Sequence, residues 1–339
     1  MKFASRLSLR AVALAGAVLS LALPAHAEFQ ERTIKVSTTV NKEHSIALGM
    51  VKLAQCAADK SGGKMKIQLY PGAVLGSDPQ VVQQLRTGSL DMMSVAPSTL
   101  VAFLPAAGVL DLPFLIQNEK EADALLDGKA GTYFGSLLPA VGLVHLAWTE
   151  AGFKHITSSR KPVARHEDIQ GQKLRVLQNS IFVDAFANWG AVPSTMAFSE
   201  LYSGLETKTV DGQENSLNVI DTGKFFEVQK YLSLTRHAYQ STMTVYSKRL
   251  FDRLSPEEQA TLRDCSVQGR DEQRRLNREQ EARNLAKFKA AGMVVNEMTP
   301  AEVARMREKA QPIYDKYAKP IGEDTLKLFN DELKRLRGG

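Results

Sequence analysis

Ile34 and Val36 alternate with polar neighbours over residues 33–39, which predicts a strand. Ile46, Met50, Leu53, Ala54 and Ala57 then recur at helical spacing until Gly62-Gly63, so a helix is expected over 43–60. Met65, Ile67 and Leu69 alternate again and predict a second strand over 64–70. Asp78 reads as the N-cap of a helix with Pro79 at its first position and Val81, Val82 and Leu85 inside. After Gly88 a short strand is expected over 90–95. Helix and strand keep alternating, which predicts an α/β protein with largely parallel, covered sheets.

Two longer-range features bear on architecture. The stretch Leu85-Arg-Thr-Gly-Ser-Leu-Asp91 returns as Leu205-Glu-Thr-Lys-Thr-Val-Asp211, and in both a helix ends, a turn follows and a strand begins near Asp. Two lobes of similar build would explain this, with a ligand in the cleft outside the carboxyl ends of the strands. Towards the C-terminus, Ser255 caps a helix with Pro256 at its first position, and no proline follows until Pro300. One long, highly charged helix ending near Gly292 is expected, then a short strand over 293–295 and a further helix capped by Thr299.

The N-terminus stands apart from this pattern. Lys2, Arg6 and Arg10 precede an apolar run of 13 residues, 11–23, and Ala25-His26-Ala27 is an A-x-A cleavage site. The run is shorter than the roughly 20 residues that span a bilayer, so 1–27 is expected to be a signal peptide cleaved after Ala27, leaving an exported periplasmic chain that is not membrane-embedded. Without it, 40 basic and 37 acidic residues remain and the net charge of +6 falls to +3, so the basic balance gives no reason to expect nucleic-acid binding. With 44% hydrophobic and 24% charged residues in 339, the chain is globular and long enough for two domains. Cys56 and Cys265 either form a bridge, which an exported chain permits, or are two buried thiols.

Nucleophile-elbow, zincin, P-loop and dinucleotide motifs are absent, and the histidines show no metal-ligand spacing. Neither a metal nor a cofactor is expected, and the prior moves from catalysis towards binding. The most informative residue is Arg175, flanked by Leu174 and Val176 in a strand expected to be buried. A buried guanidinium needs either an internal carboxylate or a ligand carboxylate, which its planar fork suits. Asn215, at the end of the polar cluster Val210-Asp-Gly-Gln-Glu-Asn215, can hydrogen-bond the same carboxylate or cap the following helix.

These segments, with Ser61-Gly-Gly-Lys64, Leu75-Gly-Ser-Asp78, Gly88-Ser-Leu-Asp91, Leu112-Pro-Phe114, Gly171-Gln-Lys-Leu-Arg-Val176, Gly190-Ala-Val-Pro193 and Met196-Ala-Phe-Ser-Glu-Leu-Tyr202, resemble the periplasmic solute-binding subunit of tripartite ATP-independent periplasmic (TRAP) transporters, the DctP family. The resemblance implies a two-lobed periplasmic-binding-protein-like fold with a long bridging helix. Lobe I would hold 28–151 plus 240–280, and lobe II 152–239 plus 281–339. It implies that Arg175 holds a ligand carboxylate with Asn215, that Phe198 packs on the ligand, and that Asp78 lies near the cleft mouth. Lys154, where many members carry a second Arg, together with Thr39 and Gln213, completes the expected set. Both cysteines would fall in lobe I, which favours the bridge. Ala96-Pro97 stands where some relatives carry an acid, so sialic acid is not expected. The implied function is a non-enzymatic monomer that carries a small organic acid to TRAP membrane subunits. A four-carbon dicarboxylate or a short hydroxy or keto acid is favoured, with a sugar acid or aromatic acid as alternatives. A secreted enzyme acting on a carboxylate, or a sensor for a signalling receptor, are the competing classes.

Overall fold

The computed structural model describes residues 29–338, so the expected leader lies outside the described residues. The strands are β1 (Arg32–Ser37), β2 (Met65–Tyr70), β3 (Met92–Val95), β4 (Leu143–Phe153), β5 (His155–Ser158), β6 (Lys173–Val176), β7 (Val192–Thr195), β8 (Gly212–Asn215), β9 (Tyr231–Leu234), β10 (Tyr239–Ser247) and β11 (Val294–Glu297). Between them run α1 (Ser45–Lys60), α2 (Asp78–Thr87), α3 (Glu119–Leu126), α4 (Lys129–Leu137), α5 (Ser180–Asn188), α6 (Leu201–Glu206), α7 (Leu217–Thr222), α8 (Lys248–Phe251) and α9 (Pro256–Ala290). After β11 come α10 (Pro300–Glu308), α11 (Gln311–Ile321) and α12 (Glu323–Leu336). The early pattern is recovered with one change. Ser77, not Asp78, is the N-cap of α2, and Asp78 is its first residue, which leaves the Asp78 carboxylate free for another use.

The strands form two sheets, ordered β2-β1-β3-β10-β4 and β11-β9-β5-β8-β6-β7. The sheets are mixed and not simply parallel. Each contains one reversed strand: β10 is antiparallel to β3 and β4, and β5 is antiparallel to β8 and β9. The reason is connectivity. β5 enters the second sheet directly from β4 of the first, with Lys154 alone between them, and β10 enters the first sheet from β9 of the second. A strand arriving from the opposite lobe runs against its new neighbours. The repeated Asp is structural. Asp91 accepts the backbone N–H of Lys35 on β1 at 2.9 Å, and Asp211 accepts that of Lys173 on β6 at 2.7 Å. Each lobe contains a β-α-β-α-β unit with its first strand in the middle, β2-β1-β3 and β7-β6-β8, which is the similar build that the sequence echo suggests.

Helix α9 spans both lobes. Ser255 caps it, accepting the Glu258 N–H. Its first half crosses α1 at Gly49 and Gly269, where a Cβ on either residue would stand 2.7 Å from the other's carbonyl oxygen, so the backbones approach closely. Its far end reaches the second lobe, where Phe288 is buried in a cluster with Leu205, Leu217, Phe225 and Met293. Midway, Asn277 Oδ1 accepts hydrogen bonds from Ser45 of α1 at 2.8 Å and Asn218 of α7 at 2.6 Å. The C-terminal segment straddles the boundary expected at 281. α11 lies on α5 and on the 3-10 turn Pro105–Asp111, while α12 packs against α3 and α4.

Cys56 on α1 and Cys265 on α9 are disulfide-bonded, with Cα atoms 5.5 Å apart and 209 residues between them. Both are buried in the core of the first lobe beside Leu53, Met65 and Leu262. A loop of this length gives a chain-entropy stabilisation of about 5 kcal/mol. Reduction, or a Cys56→Ser/Cys265→Ser pair, is expected to lower the melting temperature by roughly 5–8 °C. Differential scanning calorimetry with and without reductant checks this, and coincident melting curves would show that the bridge adds nothing to the packing.

Candidate functional site

β1 and β3 of the first lobe and β6 and β8 of the second run parallel within their sheets, and residues at their carboxyl ends line two adjoining cavities. The first, about 50 Å³, is bounded by Ser77, Asp78, Ser98, Arg175, Met196 and Phe198. The second, about 70 Å³, is bounded by Thr38, Thr39, Ser94, Asn215, Gln240 and Thr242. Asp78, Thr99, Leu177 and Phe198 line both, so the cavities are neighbours across a shared wall. The lobes touch on either side: Asn41 Nδ2 donates to the Thr222 carbonyl at 2.7 Å, and Asn179 Nδ2 donates to Asp111 at 2.8 Å and to the Ser98 carbonyl at 3.2 Å.

Arg175 is 1% exposed, the largest fully buried side chain. Its Nε and Nη2 donate to the Met196 carbonyl oxygen at 3.1 and 2.9 Å, while Nη1 is buried with no hydrogen-bond partner. Among the described residues it forms no ion pair, so the internal-carboxylate reading of Arg175 is not the one adopted by the fold. Burial lowers its pKa to about 10, against the opposing pull of Glu214, Asp78 and Glu200 at longer range. The guanidinium is thus anchored through one edge, and its Nη1 donors stay unpaired in a residue that lines the first cavity.

Asp78 is the cavities' other charged group. Thr39 Oγ1 donates to its Oδ2 at 3.4 Å, and Oδ1 is buried without a partner. Burial raises its pKa to about 6, with Thr39 and Arg175 acting in the opposite direction. Asn215 Nδ2 donates to Gln213 Oε1 at 2.5 Å, and Gln213 Nε2 donates to Thr157 at 2.9 Å. Gln213 lines neither cavity and instead fixes the Asn215 amide from behind. The Phe198 ring meets Phe225 edge-on at 6.0 Å and closes the shared wall.

Lys154 is placed differently from the rest of the expected set. It lines neither cavity, and its Nζ lies 2.9 and 2.8 Å from the two oxygens of buried Glu214, with the Phe182 ring 4.3 Å below. His237 Nε2 is 3.5 Å from the same carboxylate. Burial works to raise the Glu214 pKa, but Lys154 and His237 outweigh it and hold the carboxylate ionised. Lys154 joins β4 to β5 and His237 precedes β10, so this triad ties together the two strand crossings between lobes. Thr38, Ser94, Thr99, Gln240 and Thr242 also line the cavities and were not among the residues expected from the sequence. Ser94 Oγ is buried without a partner on the second cavity's wall. The doublet Thr38-Thr39 after a strand was a readable signal, whereas Gln240 and Thr242 reach the cavity only because β10 returns from the other lobe.

A larger open groove of about 830 Å³ lies along the strand crossings and α9. Along it Arg236 meets Glu119 at 3.2 Å, Arg278 meets Asp123 and Glu150 at 2.7 Å, and the Arg307 guanidinium lies over the Phe114 ring. It shares no residue with the two cavities between the strand ends.

Residues 36–320 match the family described as "Bacterial extracellular solute-binding protein, family 7". The chain is 34% identical over 328 residues to the 2,3-diketo-L-gulonate-binding periplasmic protein YiaO of Escherichia coli, covering 96% of this chain and 99% of that one. It is 31% identical to the C4-dicarboxylate-binding periplasmic protein DctP of Rhodobacter capsulatus, covering 93% and 95%. The crystal structure of the sugar acid binding protein DctPAm from Advenella mimigardefordensis, in complex with galactonate, superposes with a TM-score of 0.89 at 36% identity, covering 91% of this chain and 99% of that one. These similar proteins are solute-binding components of transport and not enzymes. On the matched span, the two-lobed fold and the cavity between its strand ends, this chain belongs to the family 7 bacterial extracellular solute-binding proteins.

Proposed function

We propose that the protein is the extracytoplasmic receptor of a TRAP transporter for a small hydroxylated monocarboxylic acid of the sugar-acid class. The observation that carries this reading is the half-free guanidinium of Arg175 in a buried, hydroxyl-lined cavity. The carboxylate pairs with the Arg175 Nη1 edge, and Asn215 supports it. The rest of the ligand runs past Asp78 and Phe198 towards Thr38, Thr39, Ser94 and Thr242, whose hydroxyls suit a polyol chain.

Charge favours this class over a four-carbon dicarboxylate. Arg175 is the only cation among the residues lining the two cavities, and Lys154 is committed to Glu214. A second carboxylate would enter a buried site with no cation to meet it and with Asp78 nearby, which is costly. A water-sized atom occupies roughly 10–15 Å³ of such space, so the two cavities hold a molecule of roughly ten non-hydrogen atoms. The relatives that bind galactonate and D-erythronate fit this reading in ligand chemistry. Cleavage after Ala27, a periplasmic location and delivery to membrane subunits belong to the same proposal. Among the described residues, no helix is long and apolar enough to cross a membrane.

Galactonate, D-erythronate and succinate distinguish the ligand classes by thermal shift and calorimetry. Arg175→Ala is expected to weaken the best of them by more than a hundredfold, about 3–5 kcal/mol, while leaving the ligand-free melting temperature unchanged or higher, because it removes an unpaired buried charge. Lys154→Ala is expected to lower the melting temperature sharply by leaving Glu214 buried and uncompensated. If Arg175→Ala binds within threefold of wild type, the carboxylate clamp is wrong.

Asp78 makes binding pH-dependent. Its native pKa, about 6, lies above the ordinary 3.8, so the folded protein favours the protonated form. Stability contributed by this group is fully present below the ordinary value and is lost as pH rises through about 6. A neutral Asp78 no longer repels the incoming carboxylate or competes for Arg175, so affinity is expected to be higher at pH 5 than at pH 8, with Asp78→Asn flattening the profile. Titrations across this range check it, and an unchanged slope in Asp78→Asn would remove Asp78 from the site.

A further inference from the structure

Away from the cleft, three donor residues from two distant segments meet. The 3-10 turn His166–Ile169 is held by Asp168, whose Oδ2 accepts the N–H groups of Arg165 at 2.9 Å and Ala164 at 3.1 Å. The turn faces the first turn of α10, where Thr299 caps the helix and Glu302 projects. One ligand atom each of His166, Glu167 and Glu302 lies within 4.8 Å of the others, and His166 Nδ1 is 3.1 Å from Glu167 Oε2 and 3.9 Å from Glu302 Oε2. We propose that these atoms form a binding site for a divalent transition cation of the zinc class.

Unpartnered buried atoms support this assignment. The His166 side chain is 7% exposed and its Nδ1 makes no hydrogen bond, although a Glu167 oxygen is 3.1 Å away. Glu302 Oε2, 3.9 Å from the same nitrogen, is also buried without a hydrogen bond. Lone pairs left unmet in this way cost stability unless something accepts them. A simple histidine–glutamate pair would instead align an N–H with a carboxylate oxygen.

The spacing fits a metal. Zinc bonds of about 2.0–2.2 Å at tetrahedral angles place ligand atoms about 3.3–3.5 Å apart. The observed 3.1 and 3.9 Å bracket that range, so small side-chain movements suffice. Arg305 supplies an outer layer. One guanidinium nitrogen meets Glu302 Oε1 at 2.8 Å and another meets Glu167 Oε1, which holds both carboxylates with their second oxygens towards His166. Two carboxylates and one guanidinium leave a net charge of −1, which still favours a dication. A nitrogen donor beside carboxylates selects zinc, cobalt, nickel or copper over calcium and magnesium. Glu167 is 46% exposed, so an ion can enter from solvent. A bound ion would staple the loop after β5 to α10, joining segments 135 residues apart without touching the organic-acid cavity.

The test uses tag-free protein stripped with chelator and titrated with zinc chloride in a non-coordinating buffer. Calorimetry is expected to give one saturable zinc per chain, with a rise in melting temperature that magnesium and calcium do not reproduce. His166→Gln is expected to abolish that event and Glu302→Gln to weaken it about tenfold or more, both with metal-free melting temperatures close to wild type. Glu302→Gln keeps the shape of the side chain and decides the matter if His166→Gln folds poorly. Absence of saturable zinc binding in the wild type, or a Glu302→Gln titration that superimposes on it, overturns the proposal.

Discussion

A guanidinium taken out of water and only half satisfied is the constraint on which this structure turns. Transfer of a charge into the interior is tolerated only when other groups replace its hydration. Arg175 donates two hydrogen bonds to one carbonyl oxygen, and its Nη1 stays unpaired in a residue that lines the first cavity. The carbonyl belongs to Met196, which follows β7, so the anchoring depends on the β6–β7 register that sets Arg175 against Ser194. With a carboxylate docked, the last unmet donors are paired and the cost of burial is recovered, which couples occupancy of the site to the state in which both lobes close over it.

The architecture lets that coupling operate. Cavity-lining groups come from equivalent strand ends in two similarly built lobes, so neither lobe alone encloses the cavities. Two strand crossings and α9 are the principal links between them, and each is reinforced where it passes. Lys154, Glu214 and His237 brace the crossings, Asn277 joins α1 to α7, and the glycine contact and disulfide hold the first half of α9 to the first lobe. The site depends on Gln213 in the same way, since it presents the Asn215 amide while remaining outside the cavity itself.

Local chemistry was legible in the sequence wherever one segment determined the outcome. The periodicity of Ile34–Val36, the apolar spacing of α1 and the Ser255-Pro256 start of α9 report elements stabilised by their own pattern and caps. Arg175 was legible because a charge between Leu174 and Val176 conflicts with its neighbours. What depended on distant segments was not. Ser77 displaced Asp78 as the cap, which freed the carboxylate for the cavity. The reversed strands β5 and β10 carry no local mark of the lobe they come from. Lys154 looked like a ligand residue until Glu214 was placed beside it, and the facing pair Gly49 and Gly269 has meaning only once two helices cross.

The account stands on the charge of the ligand as much as on that of the protein. The most direct measurement is a calorimetric comparison between the hydroxy acid that raises the melting temperature most and its neutral carboxamide, which has nearly the same shape and the same hydroxyls. If the buried guanidinium is the anchor, the carboxamide binds at least about a hundredfold more weakly, as expected when a charge-assisted pair is lost in a buried site. Equal affinity for the acid and the amide would contradict the account, because recognition would then rest on the hydroxyl-lined wall, and Arg175 would be buried for some other reason.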